Sequence, residues 1–232
     1  MQDFVAVTGM VIKTIPVGEY DRSVTILTKE RGKISAFAKG ARRQTSRFSA
    51  AANPFSFGTF KLFVGKTSYN IMDAEISNYF EGLRADFEGA YYGIYFLEIA
   101  DYYTRENNDE KEMLKLLYQS LRALSHPTLK KQLIRAVFEI KSVVINGEFP
   151  GVPEENPEEN PKGTPKGTPK GRKYLDSTRY AVEYIMNTGI EKLYTFNVTD
   201  EVLGELRSIG NWTRKHCLMG RFKSLEILDT LG

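Results

Sequence analysis

The sequence predicts an α+β chain, with a small closed five-stranded barrel over residues 1–80 and an all-helical domain over residues 81–232. Three observations predict it. Five short β-branched or alternating runs fill the first 80 residues, with no apolar period of helix length among them. After Glu81 the apolar residues recur at a 3.6-residue period. Within the strand region, residues 31–72 hold eight basic side chains and no acid, a local charge that a merely structural barrel does not require.

The strands follow in order. Val5, Val7, Val11, Ile12 and Ile15 form the first, with a polar break at Thr8-Gly9. Residues 16–21 (PVGEYD) are turn chemistry. Val24, Thr25 and Ile26 mark the second strand, and residues 29–33 (KERGK) place a glycine near a hairpin tip. Ile34 to Ala38 is a short third strand. Phe55, Phe57, Phe60, Leu62 and Val64 form the fourth, with a one-residue shift at Gly58 that suggests a bulge. Tyr69 to Tyr79 is the fifth.

The helices are read from periodicity and punctuation. Leu83, Phe87, Ala90, Tyr91, Ile94 and Leu97 predict one helix over 83–104. Asn108 reads as the N-cap of a helix over 109–124. Pro127 opens a central helix reaching about Asn146, and Gly147 ends it. A proline-rich excursion follows at 150–173, with an acidic EENP repeat and a basic PKGT repeat end to end. Proline every four residues forbids helix and central strand, so disorder or polyproline is expected there. It reads either as a tolerated surface repeat or as a cationic tether through Lys162, Lys166, Lys170, Arg172 and Lys173. Asp176 is read as an N-cap for a helix through Met186. A further helix spans Thr199 to about Met219, and a short segment with Phe222, Leu225, Ile227 and Leu228 closes the chain.

The net charge is only +3, but it is concentrated. Residues 1–80 carry 11 Lys/Arg against 6 Asp/Glu, a surplus of +5; residues 81–150 carry 9 against 11, and residues 151–232 carry 12 against 12. A localised basic surface points to a polyanionic partner. The single cysteine, Cys217, excludes an intrachain disulfide and a multi-cysteine metal site, and it fits a reducing compartment. The N-terminus is too polar for a signal peptide. No apolar run approaches the roughly 20 residues a membrane span needs, so a cytoplasmic protein without a membrane partner is expected.

Catalytic machinery is not expected. There is no phosphate-binding glycine loop and no HExxH. His216 and Cys217 are adjacent on one helix and so point to different faces, which weakens a nucleophile–base reading. The acidic run Glu106 to Glu112 suits the start of a helix. No cofactor and no metal site is predicted. A barrel with a basic connection and interleaved aromatics instead suits an unpaired nucleic acid strand, in which cations neutralise phosphates and flat groups stack bases. The candidate contacts are Arg31, Lys33, Lys39, Arg42, Arg43, Arg47, Lys61 and Lys66, with Phe48 and Tyr69 as stacking rings or, alternatively, as core residues. An RNA-binding protein of translation or RNA processing is the other reading of the same features.

The stretch GEYDRSVTILTKERGKISAFAKGARRQTSRF resembles the N-terminal domain of the RecO family of bacterial recombination and repair mediators. The segments PFSFGTFKLF, AEISNYFEGLR, RAVFEIKSVVINGEFP and GRFKSLEIL are similar to the family in the same order, so the resemblance covers about residues 1–150 and 174–230. It implies an N-terminal OB-fold, binding of single- and double-stranded DNA and annealing of complementary strands. It also implies association with RecR and with the acidic C-terminal tail of single-stranded DNA-binding protein, so that recombinase loads on coated strands in the bacterial nucleoid. The family's DNA-contacting loop falls on Lys39, Arg42, Arg43 and Arg47, and its R-x-x-F-E pattern on Arg135, Phe138 and Glu139. Lys130, Lys131 and Arg135 are candidate cations for the acidic tail, although Arg135 could instead pair with Glu139 one turn on. Many members carry a four-cysteine zinc module after the central helix. Here the proline repeats stand in that place, so the zinc module is absent.

Overall fold

Strand β1, Phe4–Val17, is long enough at 14 residues to serve two neighbours. Its first half pairs with β4 (Phe57–Val64), from Phe4 opposite Phe63 to Met10 opposite Phe57. Its second half pairs with β2 (Asp21–Thr28), from Gly9 opposite Thr28 to Val17 opposite Asp21. A register shift between Val11 and Lys13 lets the strand turn from one partner to the other. With β3 (Gly32–Ala38) and β5 (Tyr69–Asn78) the order is β1-β2-β3-β5-β4, closed by β4 on β1. All pairings are antiparallel except β3 with β5. This is the five-stranded OB-fold barrel that the sequence predicts. The chain is described by a computed structural model over residues 4–66, 68–154 and 173–231. The proline repeats, where disorder was expected, lie almost wholly outside the described residues.

The bulge expected at Gly58 is present. Phe57 lies opposite Asn78 but Gly58 opposite Ile76, so one residue of β5 is skipped. A Cβ on Gly58 would stand 2.1 Å from the Glu75 carbonyl oxygen, so only glycine fits this approach of β4 to β5. Alternate residues fill the barrel: Val7, Val11, Val24, Ile26, Ile34, Phe60 and Leu62 are each at most 1% exposed. Three residues of the β3–β4 connection, Ala41, Phe48 and Ala52, belong to the same core.

The chain divides into two compact units, one made of residues up to 121 with those from 222 on, the other of residues 122–221. In the first, the helix expected over 83–104 is two. α1 (Glu81–Ala85) ends at Asp86, whose extended backbone (φ −91°, ψ 105°) breaks the helix and whose carboxylate then accepts from Gly89 N at the start of α2 (Phe87–Tyr103). α3 (Lys111–Leu124) begins two residues later than expected. α7 (Lys223–Leu231) packs on α2, where Phe222 meets Tyr95 edge-on at 5.7 Å and the Glu98 carboxylate accepts from Ser224 Oγ at 2.7 Å.

The second unit contains α4 (Lys131–Ile145), α5 (Asp176–Asn187), a 3₁₀ turn at Ile190–Lys192 and α6 (Asp200–Cys217). Residues 127–130 are not helical, so α4 starts four residues after Pro127. Asp176 is the first residue of α5 rather than its cap. The cap comes from another helix: the Glu205 carboxylate of α6 accepts from Leu175 N at 3.0 Å and from Thr178 Oγ1 at 2.5 Å. Lys141 of α4 closes the other end, donating to the Met186 and Thr188 carbonyls at 2.8 and 3.0 Å. Periodicity finds such helices, but capping from a distant residue leaves no local signal.

Candidate nucleic-acid interface

The basic connection between β3 and β4 is a chain of turns, with Arg43 N on the Gly40 carbonyl, Ser46 N on that of Arg43, Ser49 N on that of Ser46 and Ala52 N on that of Phe48. It is keyed to the β1–β2 turn residue by residue. Gly18, in the left-handed region at φ +55°, turns its carbonyl to accept from Arg42 Nη1 at 3.0 Å. The Tyr20 carbonyl accepts from Arg42 N at 2.9 Å. The Asp21 carboxylate accepts from Gly40 N at 2.7 Å. Arg22 donates to the Ser49 carbonyl and to Asn53 Oδ1. Two connections from different parts of the barrel thus form one rim.

Lys39, Arg42, Arg43 and Arg47 are all exposed on that rim. The Arg43 guanidinium lies over the Tyr20 ring at 4.7 Å, and Tyr20 is 44% exposed. A hydrogen bond to the Glu19 carboxylate, with a lesser contribution from burial, pushes the Tyr20 phenol pKa up, so it is uncharged at neutral pH. Arg47 donates to the Met72 carbonyl and stands 3.8 Å from Asp73. Asp73 is also the cross-strand partner of Lys61, so Arg47 and Lys61 converge on one acid, the residue next after the acid-free stretch. Lys61 Nζ sits 5.7 Å from the exposed Phe4 ring, and Lys66 is exposed beyond the end of β4. Arg31 is half-buried against Tyr69, donating to its hydroxyl at 3.4 Å.

Two expected contacts are placed elsewhere. Lys33 turns to helix α2, where it donates to Asp101 Oδ1 at 2.8 Å and to the Asp101 carbonyl. Lys13 approaches the same carboxylate at 3.4 Å. Burial alone would raise the Asp101 carboxyl pKa, but the two ammonium groups outweigh it and hold it below its ordinary value. Phe48, read as a stacking ring or as a core residue, is the latter: it is 9% exposed and plugs the barrel core, with the Arg47 guanidinium 4.7 Å above it. The run of small residues after Phe48, Ser49 to Ala52, lets the connection pack close to the barrel with the ring inside. The aromatic that faces out beside Arg43 is Tyr20, a residue that the sequence marks only as part of a turn. Its signal was a large ring in a turn that could not be buried there.

The cations proposed for an acidic peptide also separate. Lys130 is ion-paired with Asp200, both exposed. Lys131 opens α4. Arg135 takes the alternative pairing that the sequence offered: its side chain is only 13% exposed, donating to Glu139 Oε1 at 3.0 Å and to Asn211 Oδ1 at 3.1 Å. Glu139 is 1% exposed between α4 and α6, where a Cβ on Gly210 would come 2.6 Å from its carboxylate. The i,i+4 pair is therefore an element of the helix interface.

Among the described residues, no group of three metal-ligating side chains stands together. Cys217 has its thiol 3.6 Å from the Glu148 carbonyl, and burial, then the Glu148 charge, raises its pKa, opposite to what a metal thiolate requires. The zinc module of the family does not fit this chain. No helix among the described residues is long and apolar enough to cross a membrane.

By fold this is an OB-barrel protein whose barrel is followed in the chain by a helical region. Residues 1–80 match the family model described as Recombination protein O N terminal, and residues 84–226 that described as Recombination protein O C terminal. The chain belongs to the RecO family. It is similar to the DNA repair protein RecO of Acetivibrio thermocellus, 29% identical over 99% of this chain and 98% of that protein. It is similar also to that of Clostridium novyi, 30% identical over 96% and 93%, and to that of Bacillus subtilis, 30% identical over 61% and 55%.

Proposed function

We propose that the chain is a DNA repair and recombination mediator that binds single- and double-stranded DNA through the cationic rim and anneals complementary strands. Its role is to bring strands together and to help recombinase load on strands coated by single-stranded DNA-binding protein, without making or breaking bonds. The observation that supports this best is the convergence of Lys39, Arg42, Arg43 and Arg47 on one exposed edge built from two connections. Membership of the RecO family, whose relatives carry the name DNA repair protein, supports the same reading. Four cations spaced along such an edge suit a phosphate chain, whose neutralisation releases counterions.

The test is the salt dependence of binding to a labelled single strand. Neutralisation of about four phosphates gives a log–log slope of roughly −3. Alanine at Arg42, Arg43 and Arg47 should flatten that slope, and a slope unchanged by the triple substitution would refute the rim as the DNA contact. Competition with an RNA strand of equal sequence separates this function from RNA binding, since only RNA offers the 2′-hydroxyl.

RecR and the acidic tail of single-stranded DNA-binding protein are the proposed protein partners. For the tail, Lys130 and Lys131 at the start of α4 are the proposed contacts, and Arg135 acts by holding Glu139 in place. The Lys130–Asp200 pair is exposed and screened by solvent, so an acidic peptide can displace Asp200. Glutamate at Lys130 and Lys131 should weaken binding of a tail peptide in a titration and leave DNA affinity unaltered.

A further inference from the structure

The rim has a feature that phosphate binding does not explain. A guanidinium and a phenol ring, both solvent-facing, lie one over the other at 4.7 Å. Neither is needed for the fold of the turn, because the backbones of residues 18, 20 and 42 and the Asp21 carboxylate already lock the two connections together. Tyr20 stands 44% exposed, and on the same hairpin Ile15 and Val17 are 49% and 37% exposed. Apolar surface and positive charge thus lie side by side on this hairpin and the rim it meets.

We infer that Tyr20 and Arg43 form a base-stacking clamp that takes an unpaired nucleobase of the strand whose phosphates lie on Lys39, Arg42 and Arg47. A nucleobase presents two π faces, so it can lie on the Tyr20 ring, be covered by the Arg43 guanidinium, or insert between them when Arg43 swings out. The Arg43 side chain is exposed and lies on the Tyr20 ring, so swinging it out gives up that cation–π contact while the backbone of residue 43 stays tied to Gly40 and Ser46. The bases of intact duplex are stacked on each other and do not offer a free face, so the clamp favours single strands over duplex. The inference rests on the rim being the strand contact and adds to it a part of the affinity that salt does not screen.

The experiment compares two labelled oligomers of equal length and charge, one of thymidine and one of abasic sites, against the full chain by fluorescence anisotropy. The wild type should bind the thymidine oligomer at least about fivefold tighter, as one stacked base provides. Tyr20→Ala should remove that preference and leave the salt slope in place, while Tyr20→Phe keeps it. Tyr20→Leu, which retains bulk without a π face, should behave as alanine does and serves should the alanine protein not fold. A Tyr20→Ala or Tyr20→Leu protein that still prefers the thymidine oligomer overturns the clamp, as does a wild type that binds both oligomers equally while retaining its rim-dependent salt slope. A wild type that binds neither overturns the DNA-binding function itself, and the clamp with it.

Discussion

Removing Arg135 should be among the most damaging single changes in the second unit. Its guanidinium is the charge partner of Glu139, which is 1% exposed between α4 and α6. Arg135→Ala takes this charge partner from a buried carboxylate, an effect of up to about 3–5 kcal/mol. Replacing both, as Arg135→Met with Glu139→Leu, should restore most of the loss in a urea titration, because two apolar groups need no partner. Asp101 gives a second prediction at this scale. Its pKa lies below the ordinary carboxylate value in the folded chain, so its contribution is present above about pH 4 and disappears as pH falls through the lower folded value. Asp101→Asn should therefore flatten the loss of stability on acidification below about pH 4, as followed by thermal melts across pH.

At the scale of elements, the barrel and the second helical unit are held by different devices. In the barrel, β4 must come close to β5 at Gly58, and Gly58→Ala forces a Cβ onto the Glu75 carbonyl. Loss of β-sheet signal or a sharply lower melting temperature is expected for that variant. In the second unit, α5 is fixed at both ends by other helices, Glu205 at its start and Lys141 at its end. Glu205→Ala orphans Leu175 N and Thr178 Oγ1 and should cost about 1–3 kcal/mol. Hydrogen exchange should then rise first in the opening turn of α5.

For the molecule as a whole, the zinc module of the family is replaced by proline repeats, and the chain has one cysteine. A chelator should leave its melting temperature and DNA affinity unchanged; a shift in either would reveal a metal dependence that the residues do not predict. The +5 charge surplus of residues 1–80 should likewise put most of the salt-sensitive DNA affinity on the barrel.

The barrel was legible because each strand carries its own signal. Alternation put Val24, Ile26, Phe60 and Leu62 inside, the glycine marked the bulge, and a charge run without acids marked the rim. Periodicity likewise found most of the helices, but not the break at Asp86 or the late start of α4, where a capping carboxylate and an extended residue decide the boundary. What the sequence determined is what depends on neighbours along the chain: secondary structure, the barrel class and the positive face. Tertiary structure alone decided which cations remain open, turning Lys33 to Asp101 and seating Arg135 against Asn211. It also decided which ring faces the solvent, sinking Phe48 and leaving Tyr20 under Arg43. The physical reason is that burial and ion pairing are contacts between residues far apart in the chain, and no local pattern encodes the distance between them.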